Sequence, residues 1–94
     1  MKAAIVRDKT VKIQDVSTPE LGSGDVLVKM QACGICGSDV EKVFGEYGQP
    51  SMRLGHEPAG TIISVGSSVS DLKNGDRVFT HHHVACYSED CHEC

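Results

Sequence analysis

"LGHEPAGTIISVGSSV", residues 54–69, is the stretch on which the reading of this chain turns. Its centre, "GTIISVG" at 60–66, is an apolar, β-branched run bracketed by glycines, the pattern of a short strand. Just ahead of it His56 and Glu57 stand side by side behind Gly55. Further along, "NGDRVF" at 74–79 supplies a turn signal and another strand. In the other direction, "VLVKMQA" at 26–32 sets Val26, Val28, Met30 and Ala32 on one face, with Lys29 and Gln31 on the other. That period of two predicts a half-buried strand. Residues 2–6 and 10–16 read as two strands joined by the polar turn "RDKT", followed by a Pro/Gly loop at 17–25. After Cys36 the period changes. Ser38 and Glu41 fit a capping box, Val40, Val43 and Phe44 recur at helical spacing, and Gly45 closes a helix of about two turns. Short strands, many glycines and one small helix predict a mostly-β barrel or sandwich.

The bulk numbers agree with one soluble domain. A chain of 94 residues buries a little over ~60% of its unfolded surface, enough to fold with little stability to spare. Hydrophobic residues at 39% and charged residues at 23% are too mixed for disorder. The net charge of −4 argues against a nucleic-acid partner, because phosphate binding needs a basic field. No apolar run approaches the ~18 residues that cross a bilayer, and "MKAAIVRDKT" lacks a signal-peptide core. The expectation is a cytoplasmic protein with no membrane partner. Five cysteines, an odd number, fit metal ligation or buried thiols better than a disulfide framework. Cys86, Cys91 and Cys94 crowd the end of the chain, which stops on a cysteine, as a piece cut from a longer protein would.

"ACGICGSD" at 32–39 spaces Cys33 and Cys36 like half of a zinc knuckle. A zinc ribbon built from Cys33, Cys36, Cys91 and Cys94 would separate its pairs by 54 residues, against roughly 15–20 in such sites. Another pattern is more specific. Gly55-His56-Glu57 with Gly60, Gly66 and Val69, taken with "GICGSD" and "NGDRV" in this order, resembles the zinc-dependent medium-chain alcohol and polyol dehydrogenases. The resemblance runs over essentially the whole chain. It covers that family's N-terminal, GroES-like catalytic domain, a partly open β-barrel with a short helix. On this resemblance residues 1–94 are the first part of that domain, truncated before the Rossmann domain, and 81–94 begin a structural-zinc lobe.

The resemblance also implies roles. Cys36 and His56 match the protein ligands of a catalytic zinc, and Glu57 matches a glutamate that sits behind the metal and can approach it. The third family ligand lies beyond position 94. Zinc favours thiolate and imidazole and keeps one catalytic position open; alcohol dehydrogenase is itself the type example of that rule, so the agreement is not independent. Ser38 matches the residue that takes the substrate's hydroxyl proton. Asp39 matches the carboxylate that fixes the histidine's tautomer. Plainer readings stand beside these: Cys36 as a buried thiol, His56 as an ordinary core histidine, Ser38 as a helix cap, Glu57 as a structural carboxylate, Asp39 as a favourable charge in the first helical turn. Cys33 reads as a small thiol packed on its strand.

In the tail "CYSEDCHEC", Cys86, Cys91 and Cys94 match three of the four structural-zinc cysteines, with two extra residues before Cys91. The fourth would lie past the end. His92, or one of His81 to His83, could take its place, or these histidines simply occupy an exposed loop. Many relatives carry a proton-relaying histidine where this chain has Glu41. No G-x-G-x-x-G is present in the sequence, so no dinucleotide-binding domain is expected in it. The functional expectation is the zinc-binding part of an oxidoreductase that interconverts a small-molecule alcohol or polyol and its ketone or aldehyde with NAD or NADP. The full enzyme is expected to be a homo-oligomer and these 94 residues alone inactive. The alternative is a non-catalytic zinc-binding GroES-like module, a split-gene remnant.

Overall fold

A computed structural model describes residues 1–45, 52–81, 86 and 89–91. The chain opens as a hairpin in which β1 (Lys2–Arg7) and β2 (Thr10–Asp15) pair antiparallel from Lys2↔Asp15 to Arg7↔Thr10. Asp8 (φ 51°) and Lys9 (φ 57°) close it in the left-handed region. Two such residues make a type I′ turn, whose twist matches that of the flanking strands. β3 (Val26–Gly34) comes next, then the single helix α1 (Gly37–Phe44). The two-residue β4 (Met52–Arg53) pairs with the other side of β1 and completes a three-stranded sheet in the order β2-β1-β4.

The second sheet has the order β3-β5-β6, with β5 (Glu57–Val65) between β3 and β6 (Arg77–Phe79). The turn into β6 is fastened to β5, since the Gly75 N–H donates to Ile62 O and the Ile62 N–H to Asp76 O. Among the described residues Val6 and Ile62 are the buried apolar side chains, one from each sheet. Helix α1 packs against β1, with Val43 half-buried and Val40 and Phe44 exposed. The fold is mostly strand with one short helix, as expected of a GroES-like domain. Among the described residues no helix is long and apolar enough to cross a membrane. Ile35 (87% exposed) and Phe79 (83%) are the most exposed large apolar side chains among the described residues.

Three local expectations are corrected. Alternation along β3 does not persist: Val26 and Val28 are half-buried, but Met30 and Ala32 are exposed. The pairing with β5 slips between Leu27 and Val28 and again between Met30 and Ala32, and each slip resets which face a side chain takes. Cys33, beyond the second slip, is accordingly exposed rather than packed. The helix cap is also displaced by two residues. Cys36 is the N-cap, and Asp39 at the third helical position, not Glu41, accepts the reciprocal bond from the Cys36 N–H at 2.9 Å. Gly45 does end the helix, its N–H donating to Glu41 O at 2.7 Å.

Candidate metal centre

The last pair of the β3–β5 ladder is Gly34↔Glu57. This register places the exit of β3 beside the entry of β5. Cys36, two residues after Gly34, therefore meets His56, the residue before Glu57. A turn at Gly55 (φ +99°) presents His56, in a conformation that L side chains rarely adopt. The Cys36 thiol, a His56 ring nitrogen and a Glu57 carboxylate oxygen all lie within 4.8 Å of one another. Among the described residues this is the one group of three or more such side chains close enough to hold a metal ion.

The neighbouring side chains order these donors. Ser38 Oγ lies 3.5 Å from His56 Nε2, and Glu57 Oε1 lies 4.0 Å from the same nitrogen. The opposite ring nitrogen, Nδ1, lies 3.4 Å from Asp39 Oδ1. Asp39 is 7% exposed, the one buried polar side chain among the described residues. A carboxylate withdrawn from water is costly unless donors face it. Here Oδ2 takes the Cys36 N–H and Oδ1 faces the imidazole. With the ring proton on Nδ1 the Nε2 lone pair would be free for a metal; with the proton on Nε2 the ring would donate toward the Cys36 sulfur instead. The Cys36 thiol is held below its ordinary pKa, first by the Ser38 hydroxyl, then by the Ser38 backbone N–H and the His56 ring. Partial burial and the Glu57 carboxylate oppose that shift without reversing it.

A thiolate, an imidazole and a carboxylate are the donor types that zinc takes, and three protein donors leave the fourth tetrahedral position open. The donor set therefore fits the ion. Its net charge is also suitable, since a thiolate and a carboxylate together balance a divalent cation.

Of the sequence-predicted residues, Cys36, Ser38, Asp39, His56 and Glu57 come together at one end of the β3–β5 pair. Glu41 is exposed on α1. Cys86 is exposed and Cys91 half-buried, and neither joins the cluster. Cys94, His82, His83 and His92 lie outside the described residues, while His81 is exposed. One residue at the site escaped the sequence reading. Gly34 faces Glu57 across the ladder, and a Cβ placed on it would overlap Glu57 Oε2. In the sequence it stands two residues past the expected strand at 26–32, and the structure makes it the last residue of β3.

Residues 22–94 match the family "Alcohol dehydrogenase GroES-like domain". An alcohol dehydrogenase of Geobacillus stearothermophilus is 41% identical over 83 residues, which cover 83% of this chain and 24% of that protein. The sorbitol dehydrogenase of Rattus norvegicus is 47% identical over 75 residues, covering 72% and 20%. Among solved structures, the alcohol dehydrogenase TADH from Thermus sp. ATN1 superposes with a TM-score of 0.81 at 36% identity, covering 92% of this chain and 26% of that one. The chain thus spans about a quarter of the length of the relatives it matches.

Proposed function

Because this chain belongs to the alcohol dehydrogenase GroES-like domain family, we propose that it is the zinc-holding part of an oxidoreductase that interconverts an alcohol or polyol and its ketone or aldehyde with NAD or NADP. The observation that carries this reading is the convergence of Cys36, His56 and Glu57 within 4.8 Å. The relatives are dehydrogenases of alcohols and of sorbitol by name.

In this proposal Cys36 and His56 hold the ion, with Glu57 beside it. When bound, zinc supplies a Lewis acid that lowers the pKa of an alcohol oxygen. The rest of the site is the work of the chain's own side chains. Asp39 holds the His56 ring by Nδ1, so that Nε2 is presented as a donor. The Ser38 hydroxyl, 3.5 Å from that nitrogen, is in this proposal the group that takes the proton from the substrate oxygen. The hydride acceptor is a nicotinamide, for which the sequence carries no G-x-G-x-x-G seat. The 94 residues alone are therefore inactive in this reading. The tail cysteines Cys86, Cys91 and Cys94 belong, in the same proposal, to a separate structural-zinc lobe that the family pattern completes with a fourth ligand.

Native mass spectrometry of the chain loaded with zinc tests the assignment. One ion is expected to disappear in Cys36→Ser and in His56→Ala while any ion held by the tail remains. Zinc content unaltered by both substitutions would leave the non-catalytic module as the better reading. Turnover of a secondary alcohol with NAD by the chain alone would refute the inactive state.

A further inference from the structure

Glu57 has an unusual seat. Its backbone closes the β3–β5 ladder opposite Gly34, and its side chain, half of it exposed, stays at that end of the ladder. It folds back across the end of β3, where Oε2 overlaps the point at which a Cβ on residue 34 would stand, with Cδ 3.3 Å and its own Cβ 3.2 Å from that point. Real Cβ atoms essentially never come within 3.0 Å of another heavy atom, so any side chain at 34 and this rotamer of Glu57 exclude one another. The same rotamer puts Oε1 4.0 Å from His56 Nε2 and a carboxylate oxygen within 4.8 Å of both other donors. The missing methyl on one strand is thus what admits the carboxylate of the other to the cluster.

We infer that Gly34 is a positioning residue for metal binding: by lacking a side chain it leaves the Glu57 carboxylate room beside Cys36 and His56. The inference rests on the proposed zinc role of Cys36 and His56 and goes beyond it. That role names the donors, whereas the inference names the glycine, two residues before the cysteine, that makes room for one of them.

Three elements meet at the site, and they make the arrangement local. β3 delivers Gly34 and then Cys36, β5 begins at Glu57, and the Gly55 turn supplies His56. Once β3 and β5 are in register the three donors are already near one another, and little further ordering is needed to bind. Metal affinity in the chain alone should depend on Glu57 directly, and on Gly34 only through Glu57.

A double-substitution cycle reads this directly. The 94-residue chain and its Gly34→Ala, Glu57→Ala and Gly34→Ala/Glu57→Ala forms are titrated with zinc against a competing chelator. Each is also loaded with cobalt(II), whose absorption reports thiolate ligation and coordination number. Circular dichroism of the metal-free proteins checks that each is folded. Glu57→Ala is expected to weaken zinc binding by about 10- to 100-fold, the range for disturbing a group that supports a metal site. Gly34→Ala should weaken it by about 10-fold or more. The double substitution should be no weaker than Glu57→Ala alone, because without the carboxylate an alanine at 34 meets no Glu57 oxygen. Thiolate-to-cobalt absorption should persist in all four, since Cys36 is retained.

Equal weakening by Gly34→Ala with and without Glu57 would overturn the inference and leave the zinc role of Cys36 and His56 standing, as would wild-type affinity in Gly34→Ala. Absence of zinc binding and of thiolate-to-cobalt absorption in the folded wild-type chain would overturn both. Should Gly34→Ala alone fail to fold, the double form still decides, because recovery of folding on removing Glu57 supports the clash and persistent misfolding refutes it.

Discussion

Replacing Asp39 with asparagine separates two tasks that one carboxylate performs. An ionised carboxylate accepts at both oxygens, and here one oxygen takes the Cys36 N–H at 2.9 Å while the other faces His56 Nδ1 at 3.4 Å. A carboxamide has a single acceptor oxygen and two N–H donors. The backbone N–H of Cys36 cannot become an acceptor, but imidazole can exchange tautomers. In Asp39→Asn the new amide should therefore keep its oxygen on Cys36 and turn its NH₂ to His56. Nδ1 then accepts, and the ring proton moves to Nε2, where a lone pair is needed to bind the metal. In the zinc-free chain, Asp39→Asn should change stability little, whereas Asp39→Ala loses the helix-cap bond, worth about 1 kcal/mol. Zinc affinity should fall in both by about 10- to 100-fold, which corresponds to about 1.4–2.7 kcal/mol. Urea unfolding without metal and chelator competition with zinc measure the two quantities independently. Wild-type zinc affinity in Asp39→Asn would show that Asp39 does not set the tautomer. Loss of zinc-free stability equal to that of Asp39→Ala would show that the amide turned the other way.

Three further outcomes are expected. Lys9→Gly relieves a left-handed residue in the hairpin turn (φ 57°) and should raise stability by about 0.5–1 kcal/mol after allowing for glycine's extra unfolded-state entropy; a lower urea midpoint would contradict the type I′ assignment. Ile62→Ala should cost about 2–5 kcal/mol, which this small core can hardly sustain, while Ile63→Ala, at a half-exposed neighbour, should cost less than about 1 kcal/mol; similar losses at the two positions would place the β5 register one residue out. In the zinc-free chain, the alkylation rate of Cys36 should reach half its maximum below the ordinary thiol midpoint, and Ser38→Ala should move that midpoint up, since the Ser38 hydroxyl is the largest cause of the depression. Because the folded pKa is the lower one, the unfolded state binds more protons between the two values, so this group's contribution to stability grows as pH rises across that interval and disappears as pH falls through the folded value.

What the sequence discloses and what it withholds divide along one physical line. Apolar, β-branched runs such as "GTIISVG" and glycine-marked turns such as "NGD" are local, and they correspond to β5 and the approach to β6. β4 is two residues long and exists only through its pairing with β1, so no local pattern could announce it. The helix was legible, but its cap was not. A serine followed three residues later by a glutamate satisfies the statistical capping rule. The cap here is Cys36, a residue that rule ignores, and it is fixed by a contact to Asp39, which His56 also claims. Alternation along β3 failed because bulges are decided by the partner strand, and the second slip is what leaves Cys33 in solvent. The meeting of Cys36 with His56 was available only through resemblance to a family; no spacing rule joins two residues so far apart in the chain. Its physical cause is the register that ends at Gly34↔Glu57. A slip of one residue in that ladder would turn the side chain of Glu57 to the other face and draw His56 away from Cys36. The bulges that defeat the alternation are therefore part of what brings the donors together. Where the pattern misleads, the ladder has been adjusted to deliver side chains to one point, and the buried carboxylate of Asp39 marks that point.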